Sequence, residues 1–375
     1  MARRAARKAK KPAAPAPAPS SGSLECFTPG QEAALARGWP HLRTLVDGHR
    51  DDRSPERAVR RVIDRVDPVA YGVEWPREVA CRYVRAQALP RCRFHPPGDT
   101  TGAETRAVEA AIATTGPVSV EEGVRLLQGV LRSSEHYAYK VEDAVFLLEA
   151  MIGSGLALET LVSGLEKLPA AAWSAPKDTW SAPVMAPSYA AATLGFILLR
   201  VPPEVAERER ARLKALVEAG VRAAAQAGRR PTELVPVLEI LLEPDPALCK
   251  DRFGLDVDRY RLLSDPAGVL TILEEHELFP VDPRLVWRLG AGALELISDR
   301  TGKVPKHHVP LAASWFGVFR HPATVEIMLG LGTRPGAREQ ADAWFAEHAA
   351  FAKPHLGKLA KGGGPLAAAA KGRLG

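Results

Sequence analysis

Aromatic residues are scarce in this 375-residue chain, at 6%, and cysteines number only four. β-Sandwiches and barrels fill their pleated surfaces with aromatic and β-branched side chains. A chain rich in alanine and poor in aromatics points instead to closely packed helices. Cys26, Cys81, Cys92 and Cys249 include no CxxC pair, which argues against a dense disulfide framework and favours buried, reduced thiols. Long apolar runs are also missing. The longest, from Ala190 to Val201, is too short to span a bilayer. The basic N-terminus runs into PAAPAPAPSSGS, which lacks the continuous apolar segment of an export signal. A soluble, cytoplasmic protein with no membrane partner is expected.

Local catalytic signatures are missing too. There is no G-x-S-x-G, no Walker A motif and no strand-preceded G-x-G-x-x-G. Cys81, Cys92 and His95 are spaced C-x10-C-x2-H with no second pair to complete a tetrahedral metal site. His307 and His308 are adjacent and would point to different faces of a helix, so His321 gains no convergent partner from them. His276 lies in EEHEL, without the second histidine a zincin needs. The expectation is therefore no catalytic residue, no cofactor and no metal.

What the chain does have is an uneven distribution of charge. Its formal net charge is +6, yet Arg3, Arg4, Arg7, Lys8, Lys10 and Lys11 all precede the first acid, Glu25. Lys353, Lys358, Lys361, Lys371 and Arg373 all follow the last acid, Glu347. The span between them is mildly acidic, so a pI near 9.2 describes two basic ends on an acidic body. The first six cations form a candidate tether that would hold nucleic acid weakly and without sequence preference, because they could displace counterions but bring no aromatics to stack on bases.

Between the ends the apolar spacing is helical. Val120, Val124, Leu127 and Leu131 follow a potential cap at Ser119, and Val141, Val145, Leu148 and Ile152 repeat the pattern. A capping residue precedes proline at Thr28-Pro29, Ser54-Pro55, Asp245-Pro246, Asp265-Pro266 and Asp282-Pro283, the arrangement of a helix start. Gly153-Ser154-Gly155 reads as a turn at a helix end, where glycine accepts positive φ. Helix pairs beginning near positions 103, 140, 188, 232, 266 and 309 suggest a loose repeat like that of HEAT or armadillo units. The expected fold is all-α, an irregular HEAT/armadillo-like α-solenoid with disordered basic tails; an irregular helical fold is the alternative. Its parts are a disordered tail (1–23), an N-terminal helical half (24–168), a Pro/Trp loop (169–188), a C-terminal half (189–360) and a flexible basic tail (361–375).

The loop carries a duplication: Trp173-Ser174-Ala175-Pro176, then Trp180-Ser181-Ala182-Pro183. Trp173 and Trp180 are candidate partner contacts, since indoles on a proline-stiffened loop suit an interface; alternatively they fold back over neighbouring helix ends. Tyr137 and Tyr139, in the run EHYAYK, are a second candidate contact.

One stretch points to a family. His321-Pro322-Ala323-Thr324-Val325-Glu326-Ile327-Met328-Leu329 is followed by Arg338-Glu339-Gln340-Ala341-Asp342-Ala343-Trp344-Phe345-Ala346-Glu347-His348. Over about residues 308–356 this resembles the HEAT-like repeats of the bacterial molybdate metabolism regulator family, which are associated with WGR domains. The resemblance implies a helical-repeat fold and no catalytic residues; a WGR-like module is absent. The functional expectation is a non-enzymatic scaffold or adaptor for a protein partner. Two alternatives stand beside it: a regulator tethered to nucleic acid by its tail, and an enzyme whose residues converge only in the fold.

Overall fold

A computed structural model describes residues 24–38, 45–48, 54–64, 75–89, 102–133, 138–175, 185–253, 266–279 and 282–375. It is all-α, with nineteen helices among the described residues and only two-residue strands. The N-terminal part holds α1 (Pro29–Ala36), α2 (Pro55–Asp64), α3 (Arg77–Gln87) and α4 (Gly102–Ala113). Next come α5 (Val120–Leu131), α6 (Ala138–Ile152), α7 (Ser154–Glu166), α8 (Met185–Ile197), α9 (Pro203–Gln226) and α10 (Leu234–Leu242). Then follow α11 (Pro246–Phe253), α12 (Pro266–Glu275), α13 (Pro283–Leu289), α14 (Ala291–Asp299) and α15 (Val309–Phe316). The chain closes with α16 (Pro322–Gly332), α17 (Arg338–Glu347), α18 (Ala349–Leu359) and α19 (Pro365–Leu374). Strands β1 (Leu45–Val46) and β2 (Trp75–Pro76) pair in parallel; β3 (Ser174–Ala175) and β4 (Arg230–Pro231) pair antiparallel.

Helix starts follow the cap-proline signature. The Thr28 hydroxyl accepts from the Gln31 N–H, and the Gln31 side chain accepts in return from the Thr28 N–H, a reciprocal capping box. Asp282 caps α13 and Asp245 caps α11, accepting from the N–H groups of Arg284 and Ala247 at 2.9 and 2.8 Å. Gly153, with φ of 89°, reverses the chain between α6 and α7 in a conformation costly for any residue with a Cβ.

In the middle of the chain the contacts run in two rows. α5, α7 and α9 touch in succession, as do α6, α8 and α10, with α5–α6, α7–α8 and α9–α10 joining the rows. Small residues set the spacing: a Cβ on Gly129 of α5 would meet the Ala88 carbonyl at 2.5 Å. One continuous core results, with Tyr83, Phe146, Phe316 and Phe319 among its largest fully buried side chains. Burying one such ring stabilises by about 1.5–3 kcal/mol.

Two features go beyond neighbour-on-neighbour stacking. Helix α1 packs on α13, far along the chain. The segment before α1 forms a β-bridge from Cys26 to Phe319, with the Phe27 N–H donating to the Val318 carbonyl at 3.1 Å and the Arg320 N–H to the Glu25 carbonyl at 2.7 Å. The final residues, expected to be a flexible tail, instead form α19. Pro365 occupies its first turn, Ala367 and Ala370 are buried, and it packs on α18 and α16. Alanine has the highest helix propensity, and here its small side chain also permits close docking.

Candidate functional site

The residues singled out in the sequence do not gather at one place. Trp173 follows a short 3-10 turn at Ala170–Ala172 and is only 7% exposed. Its ring lies against Gly220 of α9, where a Cβ would come within 2.8 Å of the indole Cε3. Its carbonyl accepts from the Thr232 N–H at 3.1 Å, and the Thr232 hydroxyl donates to the Ala172 carbonyl at 2.7 Å. The indole is thus a core side chain with little surface left for a partner, which corrects the interface expectation for this residue. Tyr139 falls in the first turn of α6. Trp180, Tyr137, Arg3, Arg4, Arg7, Lys8, Lys10 and Lys11 lie outside the described residues.

Charged groups converge first in the interior, where α1, α6, α8 and α13 meet. The Arg284 guanidinium donates from Nε to both Asp282 oxygens at 2.9 Å and from Nη1 to Glu142 at 2.8 Å. The same Nη1 reaches the Gly38 carbonyl at 3.4 Å. Arg200 grips Glu149 with two nitrogens and donates to the Ala36 carbonyl. Arg288 lies 4.0 Å from the centroid of the Phe196 ring, and burial, aided by the neighbouring Arg284, holds its pKa down to about 10. These carboxylates are neutralised by guanidinium groups in fixed geometry. They tie elements together and leave no free acid–base pair among those named.

Thiol chemistry has little support either. Cys26, Cys81 and Cys249 are buried and in no disulfide, and burial, followed by the nearby Glu32, pushes Cys26 up to about 12. Among the described residues, no three His, Cys, Asp or Glu side chains are placed to hold a metal ion. No helix among them is long and apolar enough to cross a membrane.

Among the described residues, a cleft of about 630 Å³ opens at the C-terminal end. Its walls are the end of α16, the turn through Arg334 and Pro335, the first turns of α17 and the last turn of α19. Three guanidinium groups line it: Arg334, Arg338 and Arg373. Arg334 is positioned by donating to the Thr301 carbonyl at 2.8 Å. Arg373 pairs with Asp342, and its guanidinium lies 4.2 Å from the centroid of the Phe345 ring. Arg338, the first residue of α17, has no carboxylate partner among the described residues, and no side chain caps the N–H groups of that helix end. Gly332 keeps the junction tight, since a Cβ there would sit 3.0 Å from that of Ala341. Against the single carboxylate of Asp342 the cleft therefore carries an excess of two positive charges. Planar forks of this kind match phosphate or carboxylate oxygens two at a time.

Sequence reading missed this cleft. Arg334 and Arg338 sit among acids in the chain and gave no local signal; Arg373 lies in residues 361–375, which read as a flexible tail. Compared with family models, curated proteins and solved structures, the chain matches none.

Proposed function

We propose that this chain is a non-catalytic helical adaptor that engages a macromolecular partner through an anionic group held in the C-terminal cleft. The observation that carries the reading is the set of three arginines from three separate elements, two held by neighbours and one, Arg338, unpaired. The two rows of helices formed by α5 to α10 support a repeat-like scaffold, in which each pair stacks on the next and the whole presents an extended surface. The enzyme reading lacks a comparable observation, because the convergent carboxylates of the interior are already bound to arginines.

Calorimetric titration with pyrophosphate tests the proposal. Arg338→Ala should weaken binding by about tenfold or more, the scale of a charge-assisted hydrogen bond of ~1.5–3 kcal/mol. It should leave the melting temperature within about a degree, because the side chain is exposed and unpaired. Affinity that survives both Arg338→Ala and Arg334→Ala would remove the cleft from consideration.

A further inference from the structure

Helix α19 forms one wall of the arginine cleft, and little else holds it. Its residues Ala369, Gly372 and Arg373 line the cleft together with the end of α16 and the first turns of α17. Of its ten residues only Ala367 and Ala370 are buried, with Leu366 and Ala369 partly so, while Leu374 is 44% exposed. Alanine methyls supply little apolar area, and a helix this short is marginal in water on its own. Its start has no side-chain cap, and it is joined to α18 through Gly362, Gly363 and Gly364, the last with φ of 91°. Glycines give the undocked connection many conformations to lose on docking. The polar attachment is Arg373, which pairs with Asp342 and lies over the Phe345 ring, both on α17. Asp342 is half-exposed, and an exposed ion pair contributes little by itself. Docking also has a cost. It brings Arg373 into the space lined by Arg334 and Arg338, with one carboxylate, Asp342, among the three guanidinium groups.

We infer that anion binding in the cleft and docking of α19 are a single linked equilibrium, with α19 acting as a latch set by the anion. The inference rests on the proposed anion site and adds its regulation. An anion held by Arg373 on one side and by Arg334 and Arg338 on the other relieves the like-charge repulsion and bridges α19 to α17. When α19 undocks, Arg373 leaves and the cleft loses that wall, so the anion favours the docked form. A ligand shifts an equilibrium by its differential affinity for the two states, and occupancy of the cleft therefore closes the latch. The reverse holds with equal force: whatever undocks α19 releases the anion. Arrival of an anionic group in the cleft is thus converted into coverage of the α16 and α18 surfaces on which α19 packs.

Hydrogen exchange read by mass spectrometry on the full chain tests this, with pyrophosphate as the probe and sodium chloride at matched ionic strength as the control. At a pyrophosphate concentration about ten times its dissociation constant, amides of α19 should exchange about tenfold more slowly, the factor 1 + [L]/Kd for binding to the docked form alone. Chloride should not reproduce this, and peptides from α5 to α10 should exchange at an unchanged rate. Ala370→Gln puts a bulky amide at a fully buried position of α19 while keeping every residue that lines the cleft. Its α19 amides should exchange at close to the rate of unfolded chain. Its pyrophosphate affinity should fall by about tenfold or more, because apparent affinity scales with the docked fraction. Slow α19 exchange in that variant would refute docking through Ala370, and full affinity with α19 undocked would refute the coupling. Pyrophosphate binding that leaves α19 exchange unchanged in the native chain, or protection equalled by chloride, would overturn the latch and leave the cleft standing. Pyrophosphate binding that is absent, or indifferent to both Arg338→Ala and Arg334→Ala, would remove the cleft itself and the latch with it.

Discussion

Trp173 and Gly220 offer a direct test of how the loop is held. The indole is buried, and Gly220 of α9 leaves room for its Cε3 edge; an added Cβ would stand 2.8 Å from that carbon and 3.4 Å from Cγ2 of Val235. Trp173→Ala should cost about 3–5 kcal/mol, the range for truncating a buried aromatic. Gly220→Ala works two ways. Alanine in mid-helix gains about 1 kcal/mol over glycine. Forcing a methyl against a rigid ring costs about 1–3 kcal/mol. The net in the native background is a loss of up to about 2 kcal/mol from these opposed terms. Once Trp173 is alanine the clash is gone and only the ordinary contact with Val235 remains. Gly220→Ala should then be neutral or stabilise by up to about 1 kcal/mol. Urea denaturation followed by circular dichroism on the four species of this cycle gives a coupling of about 1–3 kcal/mol. An identical effect of Gly220→Ala in both backgrounds, or a Trp173→Ala cost below about 1 kcal/mol, would refute the buried-indole account and return the ring to the surface.

Two further outcomes follow from the charged groups. Arg284→Met strands Glu142, 1% exposed, and Asp282, 8% exposed, without their guanidinium. Stability measured in urea should fall by about 3–5 kcal/mol, as for a broken buried pair, and a loss under about 1 kcal/mol would contradict the buried Arg284–Glu142 pair. His321 caps α16, its Nδ1 accepting from the Ala323 N–H at 3.2 Å, and its pKa lies below the usual histidine value. Burial is the main cause; His355 adds to it, while Glu295 and Glu326 oppose it. A histidine kept neutral by folding contributes stability that is fully present above its unfolded pKa, about 6.5, and is lost as pH falls from there toward the lower folded value. Melting temperature should thus drop on acidification below about pH 6.5, with His348, also lowered by burial, acting in the same sense. His321→Asn keeps a capping acceptor and should make that drop shallower; an unchanged profile would mean His321 does not titrate with folding.

Legibility in the sequence tracked the range of the interactions. Helix starts were readable because a cap and a proline act within four residues, and α1, α2, α11, α12 and α13 all begin at such prolines. The Gly153 reversal was readable for the same reason. Apolar spacing gave the helices but not every face: Val120, counted as apolar-periodic, is 51% exposed at the first position of α5. The terminal alanines were read as tail because propensity without amphipathicity does not show what a helix will pack on, and only α16 and α18 supply that surface. The interior network was invisible. Glu142 and Arg284 are 142 residues apart, and the polar Lys140, Glu142, Asp143 and Glu149 of α6 are all buried. The cleft required Arg334, Arg338 and Arg373 to be brought together by three elements, which no spacing within one helix encodes.

The closure of the chain changes how charge and stability should be related. In a one-dimensional stack of repeats the ends are held only by their neighbours and fray independently. Here residues 24–38 reach across to α13, α17 and α18 through the Cys26 bridge, the Phe27 stack and carbonyl acceptors for Arg200 and Arg284. Those arginines serve twice, neutralising carboxylates of α6 and α13 while holding the backbone of the first described segment. Cations committed in this way cannot also attract a partner, because their charge is already neutralised at close range. The lysines after Glu347 have no such role, and the cations before Glu25 have no acid within the first 24 residues to pair with. The fold thus commits Arg200 and Arg284 to tying distant helices together. A change loosening Phe27 would therefore weaken the closure of residues 24–38 on α17 and α18.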